Sequence, residues 1–403
     1  MADAEPKKKT PWERVGSAKG SASSSPSAPS SKHSAGASKV AAQASRFLAD
    51  VLASQDDVTV HQQRDIDRYL QVIEKQRIHR IQDTDNPETF IGSPETWQLI
   101  CLAAKRSSDA YSLPNSEPDF VLKPGFPLLR HGAVKRTLVS TRPHTDGKVM
   151  IVAVRGSTNK MMDWLVNCNA ETTMAPEVGC LLEPHEFPNI PAEWHKGFLA
   201  VAQDMKDRIL RAIDNALPAT ATAGGSTDAI HLLFTGHSAG GAVAKLLYAM
   251  SASQDPNMSR VIARFRSIHC IVFGAPPVAT VPIRQPAMPS FQSGLFLSFV
   301  NEGDPVALIQ PEYFKSLIIF LTHNASEVEK KYPPPDGFTL PDPILRVSGS
   351  CVVLRDIDCD DVEVEGWDAV AVPAEKLEAK LFGNIAMHGM KNYLERVQSL
   401  RGL

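Results

Sequence analysis

The residues best suited to chemistry lie in Gly236-His237-Ser238-Ala239-Gly240, a G-x-S-x-G pattern. The largely apolar run 231–235 before it predicts a buried strand, and the run 241–248 after it predicts a helix. In such a sharp strand-to-helix turn, a side chain at Gly236 or Gly240 would clash with neighbouring backbone. The turn would present the Ser238 hydroxyl away from the sheet. Ser238 is therefore the candidate nucleophile.

A serine hydroxyl is a poor nucleophile at neutral pH unless a histidine accepts its proton and a carboxylate orients that histidine. In sheets of this kind the partners follow the serine in the order acid, then histidine. Asp304 comes just after a predicted strand and is the candidate acid, with Glu302 as the nearest alternative. The two histidines that follow Asp304 are His323 and His388. His388, at the entrance to the last predicted helix, is the candidate base.

The oxyanion of a tetrahedral intermediate needs hydrogen-bond donors. The backbone N–H of Ala239, next to the nucleophile, is one candidate. Ser157, in the turn after the predicted strand Val149–Val154, is the second. A short apolar segment follows Ser157 and is compatible with a lid over the site or, equally, with a short buried helix. Its candidate lid residues are Met161, Met162, Trp164 and Leu165.

These residues must be positioned by a sheet and its covering helices. Apolar β-branched runs alternate with helical stretches from about residue 135, which favours an α/β fold with a mostly parallel sheet and helices on both faces. The predicted strands are Arg136–Thr141, Val149–Val154, Ile230–Thr235, His269–Gly274, Leu295–Asn301 and Ser350–Leu354. The predicted helices are 40–54, 61–81, 94–106, 160–168, 197–216, 240–252 and 389–399.

Composition divides the chain into three parts. Residues 1–39 are rich in Ser, Ala and Lys and predict a disordered tail. Residues 40–94 predict a helical extension whose apolar stripes dock on the chain's own core. Residues 95–403 predict the α/β domain. The acidic run 356–365 alternates its carboxylates, which favours a solvated hairpin over a calcium loop.

Charge and cysteine usage exclude some classes of protein. The chain has 403 residues and a formal net charge of −3, which argues against binding nucleic acid by bulk charge. Six cysteines form no C-x-x-C pair, and Cys101 and Cys270 lie in apolar runs where buried free thiols are common. No apolar stretch resembles a signal peptide or a membrane span, so we predict a cytoplasmic protein.

The ordered set of motifs resembles the class 3, or fungal-type, lipases of the α/β-hydrolase fold, over about residues 95–400, and looks closest to their intracellular branch. The resemblance implies a triad of Ser238, Asp304 and His388, an oxyanion hole of Ser157 and Ala239, and a lid around Trp164. It also implies hydrolysis of acyl lipids with no metal or organic cofactor. The motifs are Val154-Arg155-Gly156-Ser157, Trp164, His195-Lys196-Gly197-Phe198, Gly236-His237-Ser238-Ala239-Gly240-Gly241, Phe273-Gly274-Ala275-Pro276-Pro277, Asn301-Glu302-Gly303-Asp304-Pro305-Val306 and His388.

The predicted function is therefore that of a serine-dependent ester hydrolase acting on tri-, di- or monoacylglycerols or phospholipids. Its expected partners are the acyl-lipid substrate and, transiently, a membrane or lipid-droplet surface. Two alternatives remain open from the sequence. One is an esterase for small esters, and the other is a lipase-like scaffold that binds lipid or protein without turnover. The same triad is also compatible with a peptidase.

Overall fold

The computed structural model describes residues 60–75, 77–112, 120–122, 136–156, 171–175, 178, 193–217, 229–253, 255–333, 337–357 and 366–401. All of them belong to one compact unit, Ala41–Leu403. Several predictions lie outside the described residues. These are the tail 1–39, the helices 40–54 and 160–168, Ser157, and the candidate lid residues Met161, Met162, Trp164 and Leu165.

The described strands form one large sheet and one small one. The large sheet has nine strands in the order β1-β11-β10-β9-β8-β7-β4-β3-β2, and β5 pairs with β6 separately. Its five central strands, β4, β7, β8, β9 and β10, are parallel, whereas the strands at both edges are antiparallel. The strands are β1 (Glu88–Thr89), β2 (Phe120–Leu122), β3 (Thr137–His144), β4 (Gly147–Val154), β5 (Thr172–Thr173), β6 (Trp194–His195), β7 (Ala229–His237), β8 (Ser267–Phe273), β9 (Phe296–Asn301), β10 (Ser350–Asp356) and β11 (Trp367–Val372).

Helices cover the sheet, and several begin at residues suited to helix starts. Ser93 caps the second helix by accepting the Thr96 N–H at 3.2 Å, and Pro94 follows it at the first helical position. The helices are α1 (Val60–Ile73), α2 (Pro94–Asp109), α3 (Lys196–Ala216), α4 (Ala239–Ser251), α5 (Pro256–Ile262), α6 (Pro289–Gln292), α7 (Pro311–Thr322), α8 (Ala325–Lys331), α9 (Ala374–Glu378) and α10 (Met390–Leu400).

Each face of the sheet has its own apolar layer, because successive side chains of a strand point to opposite faces. On β4, Met150 and Val152 join the cluster formed with helices α3 and α4. Ile151 and Ala153, which alternate with them, join the cluster formed with α2 and α10. The predicted α/β fold, with a mostly parallel sheet covered on both faces, is confirmed.

Helix α1 packs on the chain's own core. Its side chains Tyr69, Val72 and Ile73 are buried in a cluster that includes Phe320 of α7 and Phe382. The helix ends at Ile73, eight residues before the predicted end at residue 81. Residue 81 itself lies outside any helix, and its N–H donates to a Glu302 carboxylate oxygen at 2.7 Å.

Some elements differ from the prediction. Helices α7 and α8 and strand β11 were not expected, and β1 and β2 are too short to show any alternation in sequence. Strands β10 and β11 pair antiparallel on either side of the acidic run, whose residues 358–365 are outside the described part. Cys101, Cys270 and Cys351 are buried free thiols. Among the described helices, none has the length and apolarity needed to cross a bilayer.

Candidate active site

The serine lies in a strained turn between β7 and α4. Ser238 has φ 58° and ψ −136°, a backbone conformation that L-residues rarely adopt. Its N–H donates to the Phe273 carbonyl of β8 at 2.9 Å, which fixes the turn to the next strand. Such strain is typical of a residue whose side chain is held at a functional position.

The glycines around Ser238 are required by close backbone approach. A Cβ at Gly236 would lie 2.6 Å from the Gly240 carbonyl carbon. A Cβ at Gly240 would lie 2.1 Å from the Val154 oxygen and 2.7 Å from the Arg155 carbonyl carbon. The predicted clash of side chains at these two positions is confirmed. It also shows that α4 begins directly against the end of β4.

The carboxylate of Asp304 is completely buried and accepts three hydrogen bonds. His388 Nδ1 donates to Oδ2 at 2.9 Å, and the Tyr393 hydroxyl donates to the same oxygen at 2.6 Å. The Val306 N–H donates to Oδ1 at 2.8 Å. Since a buried carboxylate is costly unless it is fully hydrogen-bonded, these three donors stabilise the Asp304 side chain beside the imidazole.

His388 ends a 3₁₀ helix, Ile385–His388, directly before α10. Two hydrogen bonds fasten this segment to the loop of Asp304. Asn301 Nδ2 donates to the Met387 carbonyl at 2.8 Å, and the Asn384 N–H donates to the Gly303 carbonyl at 2.9 Å. With Nδ1 bound to Asp304, the His388 Nε2 atom is buried and makes no hydrogen bond within the described part of the chain. Nε2 is the ring atom that a general base uses to accept a proton.

Gly274 makes room for the acid–histidine pair. Its φ is +52°, and a Cβ there would lie 2.7 Å from Asp304 Oδ2 and 3.1 Å from His388 Nδ1. A side chain at this position would therefore push the two groups apart. The glycine belongs to the motif Phe273-Gly274-Ala275-Pro276-Pro277, so the geometry gives that motif a physical reason.

The His237 side chain, next to Ser238, hydrogen-bonds to Tyr111 and to the backbone of His388. Its Nε2 lies 2.7 Å from the His388 carbonyl oxygen, which can only accept, so Nε2 carries the hydrogen. Its Nδ1 therefore accepts the Tyr111 hydroxyl at 2.8 Å. Burial holds the pKa of His237 well below its ordinary value, and the nearby His388 lowers it further. His237 is thus a neutral, bridging side chain.

Tyr111 extends this bridge to the end of β4. Burial raises the pKa of its phenol, although a hydrogen bond from the Gly156 N–H and the charge of Arg155 oppose that effect. Tyr111 packs directly on Gly156, where a Cβ would lie 2.1 Å from its hydroxyl. The turn that precedes Ser157 is therefore tied through Tyr111 and His237 to the backbone of His388.

The alternative acid and base occupy other places. The Glu302 carboxylate accepts the Ile81 N–H, and burial raises its pKa. His323 ends α7, with Nδ1 2.9 Å from the Ile319 carbonyl. His195 caps α3 by accepting the Gly197 N–H at 3.2 Å, and burial lowers its pKa to about 4. The structure pairs Asp304 with His388.

The candidate oxyanion donors are described only in part. Ala239 is buried and is the first residue of α4, where the N–H has no acceptor within the helix. Ser157 and the four candidate lid residues lie outside the described part of the chain. Sequence reasoning missed Tyr111, Tyr393 and the bridging role of His237. No local pattern marks Tyr111, which meets His237 across 126 residues.

The match to a known protein family covers the centre of the site. The family described as lipase (class 3) matches residues 151–314. This segment contains Ser238 and Asp304 and ends before His388. The resemblance to class 3 lipases inferred from the motifs is thereby confirmed over these residues. No curated protein sequence matches the chain.

Several solved lipases are similar in structure. For the lipase from Rhizopus microsporus var. chinensis the TM-score is 0.44 with 14% identity, covering 78% of this chain and 92% of that chain. For the Rhizomucor miehei lipase propeptide complex it is 0.43 with 15% identity, covering 75% and 81%. For a triacylglycerol lipase from Penicillium expansum it is 0.41 with 14% identity, covering 75% and 98%.

Proposed function

We propose that this chain is a serine-dependent carboxylic ester hydrolase acting on acyl lipids, on the basis of the match of residues 151–314 to the class 3 lipase family. The observation that carries the proposal is the buried pair of Asp304 and His388, 2.9 Å apart, at the end of the sheet where Ser238 is held in a strained turn. An orienting carboxylate behind an imidazole is what a serine nucleophile needs.

In this proposal His388 Nε2 accepts the Ser238 proton as the serine oxygen attacks the ester carbonyl. Asp304 holds the imidazole in the tautomer with the hydrogen on Nδ1 and stabilises the imidazolium that forms. The leaving alcohol takes the proton from Nε2. Water, activated by the same histidine, then attacks the acyl-enzyme and releases the fatty acid, which regenerates Ser238.

The negative charge on the tetrahedral intermediate requires donors aimed at the oxyanion. We assign this role to the N–H groups of Ala239 and Ser157, supported by the position of Ala239 at the start of α4. We assign the lid to the segment of Met161, Met162, Trp164 and Leu165, whose apolar side chains and tryptophan suit a lipid surface.

The proposed substrates place the enzyme at an interface. Long-chain glycerides and phospholipids collect in membranes and lipid droplets, so we propose transient binding to such a surface. We propose a cytoplasmic location, supported by the buried free thiols of Cys101, Cys270 and Cys351, because reduced cysteines are usual in that compartment.

The test measures fatty-acid release from emulsified tri-, di- and monoacylglycerols and from phosphatidylcholine vesicles. It compares the wild type with Ser238→Ala and with the control Ser259→Ala, which removes an exposed hydroxyl on α5. We expect Ser238→Ala to lower the rate at least about 10⁴-fold, because loss of a triad member removes the nucleophile. Ser259→Ala should retain full activity.

Labelling by a fluorophosphonate probe separates the alternatives. Serine-dependent release from any of the lipids supports the proposal, and the preferred lipid defines the class of lipase. Labelling of Ser238 with hydrolysis of small soluble esters only would replace it with a small-ester esterase. The absence of both labelling and hydrolysis would indicate a non-catalytic scaffold.

A further inference from the structure

Three polar side chains meet at the end of the sheet opposite Ser238. His144 ends β3, Asp146 lies in the turn to β4, and His231 lies near the start of β7. Asp146 Oδ1 is 2.8 Å from His144 Nδ1 and 2.8 Å from His231 Nε2. All three candidate ligand atoms lie within 4.8 Å of one another. Two imidazoles and one carboxylate therefore converge on one point.

The backbone fixes this convergence. Strands β4 and β7 are parallel, with Gly147 opposite Ala229, and the Ala229 N–H donates to the Asp146 carbonyl at 3.2 Å. Gly147 has φ +155°, and a Cβ there would lie only 2.0 Å from the Ala229 oxygen. The glycine lets the β3–β4 turn sit tightly on β7, so that Asp146 reaches His231.

We propose that His144 Nδ1, Asp146 and His231 Nε2 form a Zn²⁺ site with a fourth position open to water. Imidazole and carboxylate ligands suit zinc and neighbouring transition metals, whereas Ca²⁺ and Mg²⁺ prefer an all-oxygen shell. Zinc bonds of about 2.0–2.2 Å with tetrahedral angles require ligand atoms about 3.3 Å apart. The two contacts of Asp146 Oδ1, each 2.8 Å, would lengthen by about 0.5 Å to meet this requirement.

The surroundings permit such a movement. His231 is buried and fixed in the sheet, whereas the side chains of His144 and Asp146 are 15% and 44% exposed. Arg266 Nη1 lies 3.5 Å from Asp146 Oδ2, but its side chain is 62% exposed and free to turn towards solvent. Thr145 Oγ1 lies 3.4 Å from His144 Nδ1. The Asp146 carboxylate is therefore accessible to an ion from solvent.

A second layer of residues orients His231. Ser267 Oγ lies 2.6 Å from His231 Nδ1 and 2.5 Å from His269 Nε2. His269 Nδ1 accepts the Leu295 N–H at 3.0 Å, so its Nε2 carries the hydrogen. Coordination through Nε2 leaves His231 with a hydrogen on Nδ1, directed at Ser267. Zinc-bound histidines almost always have such a partner.

The site is remote from the proposed chemistry. Ser238 follows His231 by seven positions along β7 and the turn after it, a distance of about 23 Å at about 3.3 Å per residue. Zinc at this position has no part in ester hydrolysis. It would fasten the β3–β4 turn to β7 and so stabilise the fold. The inference therefore does not depend on the proposed function.

The test uses chelator-treated full-length protein and Zn²⁺ as the only ligand. Titration calorimetry and zinc quantification after gel filtration compare the wild type with His144→Ala, Asp146→Asn and Ser267→Ala. His323→Ala, a histidine on α7 away from this cluster, is the control. We expect the two ligand variants to lose one equivalent of zinc, with affinity at least about 100-fold lower. Ser267→Ala should lower the affinity about tenfold, as a residue that orients a ligand does.

A second measurement follows the melting temperature. Zn²⁺ in excess should raise it by about 3 °C or more in the wild type and in His323→Ala, but not in His144→Ala. Ester hydrolysis should be the same with and without zinc. Equal zinc binding by the wild type and by His144→Ala and Asp146→Asn would overturn the inference, and so would wild-type protein that retains none. Competition by excess Mg²⁺ would overturn the choice of zinc.

Discussion

The two ends of strand β7 carry similar residues in different surroundings. At the carboxyl end, His237, Ser238, Asp304 and His388 are almost entirely closed to solvent. At the amino end, His231 is buried, whereas Asp146 remains 44% exposed at its side chain. Both ends pair histidine with aspartate at 2.8–2.9 Å. What differs is how much of the chain is needed to hold the pair.

At the carboxyl end, the partners come from segments that are far apart in sequence. Asp304 and His388 are 84 residues apart, and His237 reaches the His388 carbonyl across 151 residues. At the amino end, His144 and Asp146 share one turn, and only His231 is remote. A buried pair assembled from several loops can hold a charge and a lone pair in fixed positions, as catalysis requires. A pair in an exposed turn can instead open to admit an ion.

The largest effect should follow from Asp304→Asn. The amide cannot replace a carboxylate that accepts from both His388 and Tyr393, and it favours the wrong tautomer of the histidine. We expect kcat/KM for an acyl ester to fall about 10⁴-fold with little loss of stability. Glu302→Gln is the matched control, because the glutamine still accepts the Ile81 N–H. Greater loss of activity in Glu302→Gln would make Glu302 the acid.

A pair of glycine variants compares the two ends directly. At Gly240 and at Gly147, an added Cβ would lie 2.1 and 2.0 Å from a backbone oxygen. We expect both alanine variants to lower the free energy of unfolding by about 2–3 kcal/mol in urea titrations. Only Gly240→Ala should also lower the activity of the folded protein, by about 100-fold, because it displaces the turn of Ser238. Equal activity in the two variants would contradict the proposed division.

The features of the fold that rest on short-range pattern were predictable. The central strands show apolar runs. Ser238 and Asp304 each follow one of these strands, so both could be placed at the carboxyl end of the sheet. The motif around Gly274 could be recognised in the sequence, but the need for glycine at this position could not be explained from it. Only the folded structure shows that a Cβ there would lie 2.7 Å from Asp304 Oδ2.

Features that rest on long-range contact were not predictable. Nothing near Tyr111 in the sequence indicates that it donates to His237. The amino-end cluster joins Asp146 to His231 across 85 residues, and only the β4–β7 register brings them together. Helix α1 was expected to pack on the core. Its partners on α7 could not be named in advance, because the sequence did not predict that helix.

A smaller effect is expected from Tyr393→Phe, which removes one donor from Asp304 Oδ2 and leaves the Asn301 N–H without its acceptor. A hydrogen bond to a charged group contributes about 1.5–3 kcal/mol. We therefore expect kcat to fall about 10–100-fold, with KM unchanged.

The matched control for Tyr393→Phe is Tyr69→Phe, on α1. The Tyr69 hydroxyl is buried and has no hydrogen-bond partner among the described residues. Its removal should be neutral or stabilising in urea titrations and should leave kcat unchanged. If Tyr393→Phe behaved like Tyr69→Phe, the carboxyl end would not depend on the full set of donors to Asp304.

The smallest effect concerns pH and the neutral state of His237. In the unfolded chain this histidine binds a proton below its ordinary pKa near 6.5, whereas burial holds the native pKa of His237 well below that value. The unfolded state therefore binds more protons as the pH falls, and the free energy of unfolding decreases. The slope from this residue approaches about 1.4 kcal/mol per pH unit well below pH 6.5. His237→Gln should remove that part of the slope in urea titrations, whatever its stability at pH 7.5. Identical slopes in the wild type and His237→Gln would show that His237 is protonated in the native state, and its bridge from Tyr111 to His388 would then have to be abandoned.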